Sequence, residues 1–311
     1  MGSPPRSGRY VGSPRIATVA RTAHAAGGES VEVREDFAIG EAVVRLRHAG
    51  ASDVGSVRAN NEDSFLVAPP FWVVADGMGG HAHGDVASRT AIATFAALAD
   101  GAAASARAVV DAVRDANSAV RELREGAISG TTLTGVAIVD IDGAGPHWLA
   151  FNVGDSRTYS WDGRRLEQQS VDHSAVQELI DAGLIEASEA SAHPQRNVVT
   201  RALGAEAEVE PDVWLMPLRG RQTFLLCSDG LTKELDDDEI ARIIVFHDQQ
   251  TAREPDGPTL AERLLGAAIA AGGRDNVTVV VVESELPDDL RDPEETIDRD
   301  PRLLEDTMPR A

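Results

Sequence analysis

The sequence predicts an α+β fold in which two mainly antiparallel β-sheets pack face to face and the helices lie outside them. Short apolar segments of strand length recur from about residue 43 to residue 282. Helical patterns occur in two separate blocks, so the chain lacks the regular βαβ alternation of parallel-sheet folds. The many Val and Leu residues in these segments suit two sheets that share a buried interface.

The first half of the chain begins with strands and continues with helices. Alternating or continuous apolar residues predict strands over 43–48, 64–67 and 71–75, the last of which ends at Asp76. A helix is predicted through 86–92. A second helix is predicted from about Ser105 to Arg124, because its Val and Leu residues recur on one helical face.

The second half returns to strands, which are predicted over 132–139, 148–153, 156–161, 213–216, 224–227 and 277–282. The pair Asp162-Gly163 predicts a hairpin turn after the third of these. Residues 174–204 have an interrupted helical pattern, with Gly183 and Pro194 as breakers. A further helix is predicted over about 260–271.

Composition divides the chain into three parts. Residues 1–40 are rich in Gly, Ala, Ser, Pro and Arg and predict a flexible basic leader. Residues 41–284 carry one continuous pattern without a linker, which predicts a single domain. Residues 285–311 are acidic and interrupted by proline, which is typical of a disordered tail.

Charge and hydropathy exclude several classes of function. The formal net charge of −22 argues against binding to nucleic acid or to an anionic membrane surface. No apolar run approaches the length of a membrane span or of a secretory signal, so a cytoplasmic protein is expected. The single cysteine, Cys227, lies in an apolar run and is interpreted as a buried thiol. A cysteine-based phosphatase would need an arginine six positions later, where Lys233 stands.

In four segments an apolar strand runs into an aspartate next to a glycine or beside a turn, so each segment is expected to place a carboxylate at the end of a strand. They surround Asp76, Asp155, Asp229 and Asp275. An Asp-Gly pair is common in ordinary turns, so one such segment alone would indicate little. Four carboxylates that converge on one rim would repel one another severely without cations between them. Together they predict a site for divalent metal ions.

Seven short motifs follow one another in a fixed order. They are SDVG from Ser52, RANNEDS from Arg58, ADGMGGH from Ala75, GTT from Gly130, GDSR from Gly154, SDGL from Ser228 and RDNVT from Arg274. This ordered set resembles the bacterial branch of the metal-dependent, type 2C, Ser/Thr protein phosphatases. The resemblance covers about residues 45–283 and implies an α-β-β-α sandwich with a binuclear Mg²⁺ or Mn²⁺ site at one end of the sheets.

The resemblance assigns a role to each matching position of the metal site. Asp76 would bridge both ions, and the carbonyl of Gly77 would bind the first. Asp229 and Asp275 would bind the second ion. Glu62 would hold metal-bound water, and Asp63 would brace the surrounding hydrogen bonds.

A third, weaker metal site and a phosphate site are also implied. Asp155 would hold the third ion with Asn197 as its nearest matching partner, although Ser156 could instead satisfy the Asp155 carboxylate in a simple turn. Arg58 matches the phosphate-binding arginine of the family. Eukaryotic relatives use a histidine where this chain has Met78, so the proton for the leaving group would come from metal-bound water or from His81.

The resemblance implies hydrolysis of phosphoserine and phosphothreonine in proteins by a hydroxide that bridges the two metals. The expected partners are phosphorylated proteins, including Ser/Thr kinases and their substrates. A catalytically silent sensor or scaffold with the same fold is the alternative, but it would require the loss of a metal aspartate. A calcium-binding module is disfavoured, because its characteristic loop is absent from the sequence.

Overall fold

Two six-stranded antiparallel β-sheets lie face to face, and helices cover both outer surfaces. The computed structural model describes residues 29–40, 42–79, 83–123, 129–141, 144–251, 253 and 256–286. The α+β class and the α-β-β-α sandwich expected from the sequence are both confirmed.

The first sheet has the strand order β1-β2-β12-β11-β8-β9. Its strands are β1 (Glu29–Ile39), β2 (Ala42–Asp53), β8 (Arg157–Trp161), β9 (Leu166–Gln168), β11 (Arg221–Cys227) and β12 (Val277–Glu285). Strand β12 pairs with β2 on one side and with β11 on the other, so this late strand lies in the interior of the sheet.

The second sheet has the order β10-β7-β6-β4-β3, and the short β5 also pairs with β4. Its strands are β3 (Asp63–Ala68), β4 (Phe71–Gly79), β5 (Ser129–Thr131), β6 (Leu133–Ile141), β7 (Gly145–Val153) and β10 (Asp212–Pro217). The register of β3 with β4 places Asp63 directly opposite Asp76.

Helices from two parts of the chain form the outer layers. The helices of the described residues are α1 (Gly84–Leu98), α2 (Ala106–Glu122), α3 (Ala175–Asp181), α4 (Asp229–Thr232), α5 (Asp237–Thr251) and α6 (Leu260–Ala271), with one 3-10 helix at Ala187–Ala192. Helices α1 and α2 lie on the second sheet and α4 to α6 on the first, whereas α3 and the 3-10 helix lie outside these layers. Ser105 caps the start of α2 with its side chain, and Thr259 caps α6 in a reciprocal arrangement with Glu262. These caps fix where both helices begin.

Large aromatic side chains fill the space between the sheets. The rings of Trp72 and Trp148 are 5.3 Å apart, and those of Trp148 and Phe224 are 5.0 Å apart. Aliphatic side chains such as Leu226 and Val280 complete this central layer. Side chains that alternate along each strand point to the opposite face, where they meet the helices.

Each outer face has its own hydrophobic layer. On the second sheet, Phe95 of α1 stacks on Phe151 of β7 at 5.3 Å, and Val113 of α2 joins the same cluster. On the first sheet, Ile240 of α5 and Leu264 of α6 belong to one buried cluster. The rigidity of these layers holds the ends of the strands, where the functional residues lie.

The prediction of a flexible leader is wrong for residues 29–39, because these residues form β1. All eleven residues pair with β2, and Phe37 and Ile39 are buried against the inner face of the sheet. The alternation of polar and apolar residues in this segment was the available signal. Residues 1–28 of the leader lie outside the described residues.

The acidic tail begins slightly later than predicted. Glu285 is the last residue of β12, and the backbone amide of Leu286 donates a hydrogen bond to Gly220 O at 2.8 Å. Residues 287–311 lie outside the described residues.

Helix α5 has no counterpart in the sequence predictions. Acidic residues fill its first turn, and Ile240 and Ile244 are buried on one face. This i, i+4 spacing with acidic residues at the N-terminus is a recognisable helix signal. Its polar flanks make the pattern weaker than that of α2.

Candidate active site

A cavity of about 890 Å³ lies at one end of the sandwich, where residues from both sheets meet. Of the predicted site residues that the structure describes, eight line this cavity: Arg58, Glu62, Asp76, Gly77, Asp155, Asn197, Asp229 and Asp275. Asp63 is buried beside it. His81 lies outside the described residues.

Asp76 lies within β4, where hydrogen bonds to its backbone amide and to its backbone carbonyl hold it in place. Its amide donates to Thr132 Oγ1 at 3.0 Å, and its carbonyl accepts from the Thr132 amide and from Thr131 Oγ1, both at 2.9 Å. The prediction that the strand ends at Asp76 is wrong, because residues 77–79 continue β4 by pairing with β5. This extension fixes the direction of the carboxylate.

Burial and the charges of nearby carboxylates dominate the electrostatics of Asp76. Burial, followed by the charges of Asp63, Asp229 and Asp155, raises the pKa of Asp76 well above its usual value. An opposite charge placed among these groups would favour the ionised form. The site is therefore electrostatically suited to cations.

Gly77 is required at its position because the backbone is crowded there. Its amide donates to Glu62 O at 3.1 Å, and a Cβ atom would collide with the carbonyl of Gly84. A larger residue would push β4 away from the start of α1. Gly77 also lines the wall of the cavity.

Glu62 and Asp63 lie where the chain enters β3. The Glu62 amide donates to Asn276 Oδ1 at 2.9 Å, and burial raises the pKa of Glu62 despite the opposing charge of Arg58. Asp63 Oδ2 accepts from Ser228 Oγ at 2.8 Å, while Asp63 Oδ1 is buried without a hydrogen-bond partner among the described residues. Burial raises the pKa of Asp63 to about 7.

Asp229 is the first residue of the short helix α4, directly after β11. Its Oδ2 contacts the ammonium of Lys233, one turn later. Its buried Oδ1 receives no hydrogen bond of good geometry from the described residues. Burial raises the pKa of Asp229 even though Lys233 acts in the opposite direction.

Asp275 precedes β12, so it does not end a strand as the shared pattern of the four segments suggested. The loop that carries it packs against Gly55, which has φ +78° and whose missing Cβ leaves room for the Asp275 carbonyl. Burial raises the pKa of Asp275, but the hydrogen bond and charge of Lys233 and the charge of Arg58 outweigh it, and the pKa lies below its usual value.

Arg58 makes a two-pronged ion pair with Asp275. Its Nε lies 2.8 Å from Asp275 Oδ1, and its Nη2 donates to Oδ2 at 2.9 Å. About half of the Arg58 side chain is exposed, on the rim of the cavity. The structure thus joins the predicted phosphate-binding residue to a predicted metal ligand.

Asp155 occupies the tight turn between β7 and β8. Gly154 has φ +110°, and its amide donates to His173 Nδ1 at 3.0 Å, which anchors the turn to the segment after β9. Burial and the charges of Asp229 and Asp172 raise the pKa of Asp155 to about 7. The hydroxyl of Ser156, offered as an alternative partner for Asp155, is hydrogen-bonded to Thr132 Oγ1 at 2.7 Å.

The segment from α3 to residue 200 forms one wall of the cavity. Its two ends meet through hydrogen bonds from the Ala175 amide to Val198 O and from the Thr200 amide to His173 O. Asn197 is exposed and lines the cavity together with Asp155. The interrupted helix predicted here is confirmed as α3 and a 3-10 helix.

Two residues that shape the site, Lys233 and Asn276, have no role in the sequence-based prediction of the site. Lys233 contacts both Asp229 and Asp275. Asn276 donates to Val54 O and Asn60 O, each at 2.9 Å, and so ties the loop of Arg58 to that of Asp275. The motif that contains Asn276 was a signal for it, whereas the contacts of Lys233 depend on the fold.

The other predicted residues take the expected places. Met78 lines the cavity and has no titratable group. Cys227 is buried in β11, and burial raises the pKa of its thiol to about 12, so it is unsuited to nucleophilic chemistry.

The donor set fits hard divalent cations. Carboxylates converge from both sheets beside Gly77, and two buried oxygens, Asp63 Oδ1 and Asp229 Oδ1, lack hydrogen-bond partners within the described chain. Among those same residues, no three Asp, Glu, His or Cys side chains are grouped closely enough to hold a metal ion as they stand. Arg58 and Lys233 engage oxygens of Asp229 and Asp275.

Comparison with known proteins agrees with this arrangement. Residues 56–265 match the family model described as protein phosphatase 2C. The chain belongs to the protein phosphatase 2C family. Members of this family depend on Mn²⁺ or Mg²⁺, and a similar solved structure, the catalytic domain of the Ser/Thr phosphatase PstP, contains two manganese ions.

Curated relatives in the phosphatase 2C family are of different lengths. PstP of Mycobacterium tuberculosis is 40% identical over 244 residues, which are 76% of this chain and 45% of PstP. The chain therefore matches about half the length of that relative. The Ser/Thr phosphatase stp of Listeria monocytogenes is 34% identical over 256 residues, which are 78% of this chain and 97% of stp.

Solved structures show the same fold. The manganese-bound PstP catalytic domain superposes with a TM-score of 0.66 at 37% identity, covering 78% of this chain and 99% of that domain. PppA of Pseudomonas aeruginosa superposes with a TM-score of 0.63 at 35% identity, covering 80% of this chain and all of PppA. The predicted resemblance is confirmed.

Proposed function

We propose that this chain is a protein Ser/Thr phosphatase that hydrolyses phosphoserine and phosphothreonine by direct attack of water at a binuclear Mn²⁺ or Mg²⁺ centre. The observation that carries the proposal is the convergence of Asp76, Asp229 and Asp275 on one open cavity. Residues 41–284 would form the catalytic domain, with β1 as an added edge strand.

Asp76, the Gly77 carbonyl, Asp229 and Asp275 would hold the two ions, and Asp155 with Asn197 would contribute to a weaker third site. Bound ions of this kind lower the pKa of water and neutralise charge on phosphoryl oxygens. Glu62 would accept hydrogen bonds from water at the centre. Asp63, through Ser228, would hold the strand ends in register.

Arg58 would orient the phosphoryl group from the rim. Its guanidinium can engage two phosphoryl oxygens as it engages the two oxygens of Asp275. Binding of a metal ion at Asp275 would compete with that ion pair and release Arg58 toward substrate. Met78 cannot donate a proton, so the leaving group would take its proton from water or from His81.

A catalytically silent sensor with the same fold is the competing function. The presence of all three predicted metal aspartates, Asp76, Asp229 and Asp275, favours an enzyme, because a sensor would not need the complete set of metal ligands. The named functions of PstP and stp as Ser/Thr phosphatases support the same choice. Phosphorylated proteins, including kinases and their substrates, would be the partners.

The decisive experiment is phosphate release from a phosphothreonine peptide with Mn²⁺ and with EDTA. Turnover should require Mn²⁺ or Mg²⁺ and should disappear with EDTA. Asp76→Asn should lower kcat by several orders of magnitude while the circular dichroism spectrum stays unchanged. Asp140→Asn, at an exposed position on β6, is the matched control. Equal turnover by Asp76→Asn at saturating Mn²⁺ would contradict the assignment.

The location of the protein is a separate prediction. None of the helices in the described part of the chain is long and apolar enough to cross a membrane. The cytoplasmic location expected from the sequence stays a prediction.

A further inference from the structure

Lys233 holds an unusual position at the proposed metal site. It follows α4, one helical turn after Asp229, and its ammonium contacts Asp229 Oδ2 and lies 2.9 Å from Asp275 Oδ2. Asp229 begins α4 just after β11, and Asp275 lies 46 positions later in the loop before β12. Strands β11 and β12 are neighbours in the first sheet. One cation therefore joins two proposed ligands of the same metal ion.

We propose that Lys233 is a built-in counter-ion of the metal site, which competes with the divalent cation for Asp229 and Asp275 and so sets the metal concentration at which the site fills. The inference depends on the proposed function, because it takes both aspartates as metal ligands. It assigns to Lys233 a role in metal affinity and not in bond cleavage.

The oxygens that Lys233 uses are those a metal would need. Asp275 Oδ1 is engaged by Arg58, and Asp275 Oδ2 is shared between Arg58 and Lys233. Asp229 Oδ2 is engaged by Lys233. Asp229 Oδ1 is open to a metal ion, but both oxygens of Asp275 are engaged, so a metal ion that binds both carboxylates must displace Arg58 or Lys233 at Asp275. At Asp229 it comes close to the Lys233 ammonium on Oδ2, and the repulsion between the two cations lowers its binding free energy.

The backbone of α4 keeps the Lys233 ammonium close to the carboxylates of Asp229 and Asp275. The Lys233 amide donates to Asp229 O at 2.8 Å, so the backbone of α4 fixes the distance between the two residues. About a third of the Lys233 side chain is exposed, whereas the Asp229 and Asp275 side chains are 18% and 17% exposed. The flexible lysine can thus move into the cavity when a metal replaces it, while the carboxylates stay in place.

A neighbouring arginine supplies a matched control. Arg274 precedes Asp275, lines the same cavity and carries the same charge, but its guanidinium pairs with Glu234 at 2.9 Å. Removing the charge of Arg274 therefore changes the long-range potential without removing a contact to Asp229 or Asp275. Any additional effect of Lys233 must come from its direct contacts.

The test is isothermal titration of the full chain with Mn²⁺, after EDTA treatment and dialysis, for four proteins: unaltered, Lys233→Gln, Lys233→Arg and Arg274→Gln. An ion pair between partly exposed groups shifts an equilibrium by a few-fold, so two contacts should change the Kd by about tenfold. Lys233→Gln should therefore bind Mn²⁺ about tenfold more tightly, which equals about 1.4 kcal/mol. Arg274→Gln should change the Kd by twofold or less, and Lys233→Arg should stay near the unaltered value.

Thermal unfolding gives a second readout. In EDTA, Lys233→Gln should melt at a lower temperature than the unaltered chain, because Asp229 loses the Lys233 ammonium and Asp275 is left with Arg58. With saturating Mn²⁺ the two melting temperatures should converge. A Lys233→Gln variant that is unfolded in EDTA but folds on addition of Mn²⁺ also supports the counter-ion role, and one that stays unfolded in Mn²⁺ contradicts it.

The possible failures are distinguishable. Equal Kd changes for Lys233→Gln and Arg274→Gln, or weaker Mn²⁺ binding by Lys233→Gln, would overturn the inference and leave the proposed function intact. Failure of the unaltered chain to bind Mn²⁺ would overturn the proposed function together with the inference.

Discussion

At the scale of single residues, the negative charges of the carboxylates in the site are partly offset by two basic side chains. Asp63 and Asp76 lie directly opposite each other on β3 and β4, a pairing of like charges that is unfavourable without a proton or a cation. Burial raises the pKa of Asp63 to about 7 and that of Asp76 well above its usual value. Within the described ranges, Arg58 and Lys233 are the basic side chains that contact Asp275 directly and offset its charge.

Arg58→Ala should lower kcat/KM on a phosphothreonine peptide by about 10–100-fold at saturating Mn²⁺, because a charged hydrogen bond is worth about 1.5–3 kcal/mol. Steady-state kinetics of phosphate release measure this change. Arg274→Ala, on the same rim but paired with Glu234, is the control and should change kcat/KM little. Unchanged kinetics for Arg58→Ala would mean that Arg58 has only a structural role, in its ion pair with Asp275.

Asp155→Ala should leave tight binding of two metal ions intact yet reduce turnover and its response to millimolar Mn²⁺. A site with one carboxylate and mostly water ligands binds hard cations loosely. Activity titrated against Mn²⁺ measures this effect.

The control for Asp155 is Asp162→Ala, which removes a turn aspartate whose Oδ1 accepts the amides of Arg164 and Arg165. Identical Mn²⁺ titration curves for Asp155→Ala and the unaltered chain would confine Asp155 to bracing its turn. Complete loss of metal binding would place it among the ligands of the two main ions.

At the scale of secondary structure elements, the strand ends and short loops aim the functional groups. Residues 77–79 extend β4 beyond Asp76, and pairing with β5 holds that extension. Asn276 joins the loop before β12 to the loop that carries Arg58 through three hydrogen bonds. The packing of β1 at the edge of the first sheet is the largest difference from the sequence predictions.

Phe37→Ala should lower the free energy of unfolding by about 3 kcal/mol or more, because Phe37 is buried between β1 and the inner face of the sandwich. Urea unfolding followed by circular dichroism measures the change. Asp36→Ala, at the neighbouring exposed position of β1, should be within about 0.5 kcal/mol of the unaltered chain. An equally small effect for Phe37→Ala would mean that β1 does not dock stably.

At the scale of the whole molecule, a chain of net charge −22 gathers acidic groups from both sheets into one cavity. The three hydrophobic layers hold these groups together against their mutual repulsion. Divalent cations that bind only the folded site would therefore stabilise the entire domain by mass action.

Removal of metal should lower the melting temperature as well as the activity. At free Mn²⁺ about 100 times the Kd, binding adds about 2.7 kcal/mol to the free energy of unfolding. For a domain of this size the melting temperature should rise by about 5–10 °C. Differential scanning calorimetry in EDTA and in Mn²⁺ measures the shift, and the Asp229→Asn variant should show a smaller one. Equal melting temperatures in EDTA and Mn²⁺ would contradict a metal site in the folded domain.

The sequence by itself determined the fold class, the family and eight of the residues that line the cavity. The short motifs can be recognised from the sequence because the turns and carboxylates that they encode are local features. The helix over Leu260–Ala271 was predicted with its observed bounds for the same reason, since its cap and apolar periodicity are local.

Only the tertiary structure decided which groups meet. Asp63 faces Asp76 because of strand register, β1 is ordered because β2 offers it an edge, and Arg58 reaches Asp275 across 217 positions of sequence. The sequence showed Lys233 only as the residue that stands where a cysteine-based phosphatase would need an arginine, and the fold places its ammonium beside Asp275. Contacts between distant segments depend on sheet order and packing, which the local pattern of residues does not specify.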